Sequence, residues 1–74
     1  MTDVRLHRDL YAAAAVAAAM ATYDRFAALE RLDDATHWVV RVTAKSPARE
    51  LQIARELANF ALGMSVRERG AQTA

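Results

Sequence analysis

Few residues in this chain of 74 have the types and spacing that chemistry demands. Its two histidines, His7 and His37, are the candidates for proton transfer or metal ligation. A zinc site needs at least three protein ligands in a tetrahedral array, and no third nitrogen or sulfur ligand stands near either histidine in sequence. Both are expected to be solvated surface side chains. Asp33-Asp34 offers two adjacent carboxylates, but a calcium loop needs further oxygen ligands at fixed offsets and none follows. With Ala35 the pair has the composition of a turn. Ser46 has no base nearby and stands before Pro47, the pattern of a helix start. Gly63 and Gly70 are the only glycines, so no Gly-rich loop can cradle a phosphate. No catalytic, cofactor-binding or metal-ligating residues are assigned. The expectation is a binding protein and not an enzyme.

Size and composition point the same way. Seventy-four residues make a single domain, and a core that small rarely supplies more than ~3–5 kcal/mol without staples. Cysteine is absent, so disulfides and thiolate metal sites cannot help, and a reducing cytoplasm is the expected location. Hydrophobic residues make up 54% of the chain, but alanine inflates that fraction while burying little area per residue. Association is therefore expected, with a second copy as a homo-oligomer or with a different protein or peptide as a hetero-complex. Nine arginines and Lys45 oppose nine acidic residues for a net charge of +1. That balance lacks the basic footprint of a dedicated nucleic-acid binder and offers no attraction to a membrane surface. The apolar run Leu10 to Ala21 has 12 residues, short of the roughly 20 that cross a bilayer as a helix. Asp3 and Asp9 interrupt the basic residues before it, and no polar cleavage region follows, so a signal peptide is not expected.

The elements follow from periodicity. Val4 and Leu6 alternate with Asp3, Arg5 and His7, the period of a half-buried strand. Asp9 is placed as the cap of an alanine-rich helix from about Leu10 to Tyr23, with Val16, Met20 and Tyr23 on its buried face. A second strand is expected over Arg25 to Leu32. A third, over Thr36 to Thr43, carries Trp38, Val40 and Val42 on the core face. Ser46 and Pro47 open a last helix whose Ile53, Leu57, Phe60 and Met64 should pack on the sheet. Gly70 is expected to stop it, with residues 71–74 frayed and order confined to about residues 3–69.

A right-handed β-α-β crossover followed by a hairpin places the third strand between the other two and both helices on one face. The expected fold is α+β, β-α-β-β-α with strand order 1-3-2, a ferredoxin-like arrangement lacking its final strand. The edge carrying Asp3, Val4, Arg5 and Leu6 is then open to strand addition by a second copy or a peptide. On the last helix Leu51, Ala58, Leu62 and Val66 form a second apolar stripe. It either packs on the first helix or stays exposed as an interface. Asn59, among apolar neighbours, is either a polar-face residue or a hydrogen-bonding contact to a partner. The partner-binding set is thus Val4, Arg5, Leu6, Leu51, Asn59, Leu62 and Val66. Arg5 and Arg41, with Arg31 a further candidate, fall on the uncovered sheet face. RNA-binding sheets need exposed aromatics there, and Trp38 and Phe26 are expected to point inward. Nucleic-acid binding is therefore the least favoured reading.

Asp9-Leu10-Tyr11, Ala15-Val16 and Tyr23-Asp24-Arg25-Phe26 resemble the front half of the HxsD-like family, small proteins of the His-Xaa-Ser peptide-modification system. Val39-Val40-Arg41-Val42, Glu56-Leu57-Ala58-Asn59-Phe60-Ala61-Leu62 and Val66-Arg67-Glu68-Arg69 resemble its back half, so the likeness runs from about residue 4 to 69. The resemblance implies an accessory protein acting beside radical S-adenosylmethionine enzymes that modify a ribosomal peptide. The family has no established catalytic residues to carry over.

Overall fold

The computed structural model describes residues 1–73, with side chains described as far as Arg67. Strand β1 (Thr2–His7), helix α1 (Ala13–Tyr23), strands β2 (Ala28–Arg31) and β3 (His37–Thr43), and helix α2 (Pro47–Thr73) follow in that order. The sheet has the order β1-β3-β2, and both outer strands run antiparallel to β3. This is the expected α+β arrangement. Register sets Thr2, Val4 and Leu6 opposite Val42, Val40 and Trp38, and Leu29 opposite Val42, so these side chains share the helix-covered face. Leu6, Val40 and Val42 are buried there against Val16 and Ala19 of α1 and Ile53, Ala54, Leu57 and Ala61 of α2. The alanines let the two helix backbones approach closely while the branched residues fill the sheet side. Trp38 is half-buried against this core, and its indole N–H donates to the Tyr11 carbonyl at 2.9 Å.

Several boundaries differ from the expected ones, each for a local reason. Helix α1 begins at Ala13, not Leu10, and Asp9 is not its cap. The chain first turns back on β1: the Leu10 and Tyr11 amides both donate to the His7 carbonyl, and the Asp9 amide donates to His7 Nδ1. The helix N-terminus takes its partner from across the fold instead, the Ala12 amide donating to Ser65 Oγ on α2 at 3.0 Å. Strand β2 is shorter than Arg25 to Leu32, because α1 ends in a turn in which the Phe26 amide donates to the Tyr23 carbonyl. That turn faces Phe26 outward, 48% exposed, rather than into the core. Strand β3 starts at His37, one residue late. Helix α2 does not stop at Gly70 but continues to Thr73, and among the described residues none takes the positive φ that a glycine stop uses. Ala74, the end of the expected frayed tail, lies outside the described residues. With 27 residues α2 is about 40 Å long, roughly twice the length of the strands, so its last turns run beyond the sheet.

The start of α2 is built as expected: Ser46 Oγ accepts from the Arg49 amide at 3.2 Å, and Pro47 occupies the first turn. The next residue, Glu50, is a buried acid with every oxygen engaged. Its Oε1 accepts from Thr2 Oγ1 at 2.7 Å and lies 2.8 Å from the Met1 amine, while Oε2 accepts from the Ala44 amide at 3.1 Å. One carboxylate therefore joins the start of β1, the end of β3 and the first turn of α2. The Met1 amine, then the Thr2 hydroxyl and the Ala44 amide, lower its pKa from an ordinary 4.5 to about 2. A carboxylate depressed on folding stabilises the fold above its unfolded pKa and loses that contribution as pH falls through the folded value. Thermal melts of Glu50→Gln should thus fall below wild type at neutral pH, and the gap should close between about pH 4.5 and about pH 2. A gap that stays constant down to the lower limit would show that the ionised carboxylate is not what binds these elements.

Candidate protein-docking surface

Two features lie side by side on one flank of the molecule. The first is the outer edge of β1. The Arg8 amide donates to the Thr36 carbonyl at 3.0 Å, which sets the phase of the β1–β3 ladder. Backbone groups alternate sides along an antiparallel strand, so those of Thr2, Val4 and Leu6 face β3 and those of Asp3, Arg5 and His7 face outward. The His7 carbonyl is taken by the Leu10 and Tyr11 amides. The unpaired edge is therefore the N–H and C=O of Asp3 and of Arg5, with the N–H of His7. Val4 and Leu6 cannot pair with an added strand through their main chains, and the Leu6 side chain is buried. Of the expected edge residues, Arg5 supplies main-chain groups and Val4 a half-buried apolar side chain.

The second feature is the second stripe on α2. It does not pack on α1: Leu51, Leu62 and Val66 are 46%, 41% and 55% exposed, and only Ala58 is half-buried. Positions around the helix place the stripe. Phe60 turns toward α1, its ring 6.0 Å from that of Tyr23. Leu57 faces the core, Glu50 meets the start of β1, and Ser65 meets Ala12 at the start of α1. Continuing in the same sense at 3.6 residues per turn, the next positions are Ala58, Leu51, Leu62 and Val66. The stripe therefore lies on the flank of α2 opposite Phe60 and the C-terminal end of α1. Asn59 is exposed beside it and borders a shallow concavity with Gly63, Met64 and Arg67.

The uncovered sheet face carries charge that is internally matched. Arg41 Nε donates to Asp3 at 2.9 Å across the β1–β3 pair, and the guanidinium holds the Asp3 carboxyl below its ordinary range. Arg5 pairs with Asp34 at 3.0 Å. Asp34 Oδ1 also accepts the amides of Thr36 and His37, the main reason its pKa is far below normal. This is the expected turn chemistry, in which an aspartate side chain closes the backbone on itself. Arg31 is not on this face. Its register partner is Val40, and it binds Asp33 at 2.7 Å beside Trp38 on the helix-covered side. The three arginines considered for nucleic acid are thus divided between two faces, each held by a carboxylate. Trp38 is capped by the Arg8 guanidinium 4.0 Å from the ring centroid, which removes it as a stacking platform.

His7 and His37 stand directly opposite each other, ring centroids 4.8 Å apart and edge-on. Nδ1 of His7 accepts the Asp9 amide, and Nδ1 of His37 contacts Thr36 Oγ1 and the Arg5 guanidinium. Among the described residues no three His, Cys, Asp or Glu side chains are grouped to hold a metal ion. No helix of the described residues is long and apolar enough to cross a membrane. Sequence reasoning missed Glu50 and Ser65, whose buried polar contacts tie α2 to the start of β1 and to the start of α1. A long-range hydrogen bond leaves no local pattern, although an acid and a serine inside an apolar heptad-like face were the available signals. Comparison with family models, curated proteins and solved structures returned no match.

The difference between the two α2 stripes can be measured. In denaturant unfolding at dilute protein, where association contributes nothing, Leu57→Ala should cost about 2–5 kcal/mol and Leu62→Ala no more than about 0.5. Equal losses at the two positions would place Leu62 in the core.

Proposed function

We propose that this chain is a non-enzymatic accessory protein that works by docking another polypeptide along its β1 edge and the adjoining flank of α2. The observation that carries this reading is that β1, with unpaired main-chain groups on Asp3 and Arg5, packs against α2, which exposes Leu51, Leu62 and Val66. An added strand would gain directional hydrogen bonds from the edge, and its apolar side chains would find area on the helix. Asn59 would contribute a hydrogen bond at the rim of that contact. The charged groups of the open face, Arg41 with Asp3 and Arg5 with Asp34, are bound to one another. Through its resemblance to the HxsD-like family, the chain is assigned to the cytoplasmic maturation of a ribosomal peptide, with a radical S-adenosylmethionine enzyme or its precursor peptide as client.

Affinity capture of tagged protein from its host lysate, with Leu62→Glu as the control, tests both parts. Mass spectrometry should identify a peptide-modifying enzyme or its precursor with wild type, and the variant should lose it while keeping its circular-dichroism spectrum. Recovery of the same proteins by both forms would remove α2 from the surface, and recovery of neither class of client would remove the maturation role.

A further inference from the structure

The open edge of β1 has a charge pattern that complements itself, and this names an occupant. We infer that β1 pairs with β1 of a second copy of this chain, antiparallel about a two-fold axis through Val4 and perpendicular to the sheet. The inference rests on reading this flank as a docking surface and names its occupant when no client is bound.

Strand register selects this partner. An antiparallel partner must present outward-facing backbone groups to the N–H and C=O of Asp3 and Arg5. In a self-paired strand few alignments do so. With the axis at Asp3, Asp3 faces its own copy. With the axis at Arg5, two guanidinium groups meet. Like charges directly opposite each other destabilise a sheet. With the axis at Leu6, Arg5 faces His7, whose carbonyl is already bound by Leu10 and Tyr11, and the groups of Asp3 stay unpaired. With the axis at Val4, Asp3 of each copy faces Arg5 of the other, and both residues exchange their free N–H and C=O groups. Every unpaired main-chain group of these two residues is then satisfied, and two ion pairs form across the seam.

The neighbouring charges extend this pattern. Glu30, Arg41 and Asp3 already stand in one row across β2, β3 and β1. The Val4 register adds Arg5 of the second copy, so signs alternate along the whole row, and that Arg5 carries its own Asp34 behind it. On the helix-covered side Val4 meets its copy and Thr2 meets Leu6. The same axis brings the two α2 helices side by side, because each overlies the β1 half of its sheet. Their facing flanks are the exposed stripes of Leu51, Leu62 and Val66. One symmetry operation thus covers both unpartnered features. The other free edge, β2, has only four residues, and edge strands that short resist pairing.

Charge exchange provides the test. Sedimentation velocity of purified wild type over a concentration series should show a monomer–dimer equilibrium. Asp3→Arg and Arg5→Asp each turn two attractive cross-seam pairs into repulsive ones, and each variant alone should associate at least about tenfold more weakly. An equimolar mixture of the two variants should recover the dimer, because an all-arginine strand then faces an all-aspartate strand. Circular dichroism confirms that each variant is folded before mixing. A strictly monomeric wild type, single variants that dimerise as wild type does, or a mixture no tighter than its components would each overturn the proposal. A monomeric wild type that still captured a client in a Leu62-dependent manner would overturn self-pairing alone and leave the docking role standing.

Discussion

In a three-stranded sheet of order β1-β3-β2 only the middle strand is paired on both sides, and the rest of this molecule depends on that constraint. Strand β3 carries Val40 and Val42 into the core and receives both neighbours in antiparallel register. Its central place requires α1 to cross over it and sets both helices on one face. It also leaves two strands with a free side. Strand β2 is too short to present much of an edge. Strand β1 is six residues long; Glu50 of α2 holds its start, and Ser65 of α2 holds Ala12 at the start of α1.

Polar groups divide by role along the same lines. The buried ones, Glu50 and Ser65, are fully engaged and join elements far apart in sequence. Buried polar groups without partners cost far more than satisfied ones contribute, so these contacts specify how α2 lies against the starts of β1 and α1. The exposed ones on the open face neutralise each other, Arg41 with Asp3 and Arg5 with Asp34. Such pairs contribute little to stability individually, yet they define a sign pattern on the open face of the sheet.

Much of the architecture was legible because it rests on local patterns. Alternation in Val4-Arg5-Leu6 and His37 through Thr43, the serine-proline start of α2 and the aspartate turn at Asp33-Asp34 each depend on residues within one turn or one strand pair. The errors came where a distant contact overrode a local preference. Asp9 is a good cap by type, but the return of the chain onto the His7 carbonyl placed the helix start three residues later. Phe26 is apolar, but the turn that ends α1 faces it outward. Arg31 looked available on the open face until the β2–β3 register placed it opposite Val40.

By itself the sequence determined the element order, the central position of β3, the absence of cysteine chemistry and the presence of two apolar stripes on the last helix, since each follows from composition or from a periodicity of two or 3.6 residues. Only the tertiary structure decided which stripe is buried, which side of α2 the other one occupies, and which backbone groups of β1 remain free. Those depend on helix rotation and strand register, which are set by contacts such as Glu50 with Thr2 and Ser65 with Ala12 across some fifty positions of chain. No local pattern encodes the phase between two such distant elements.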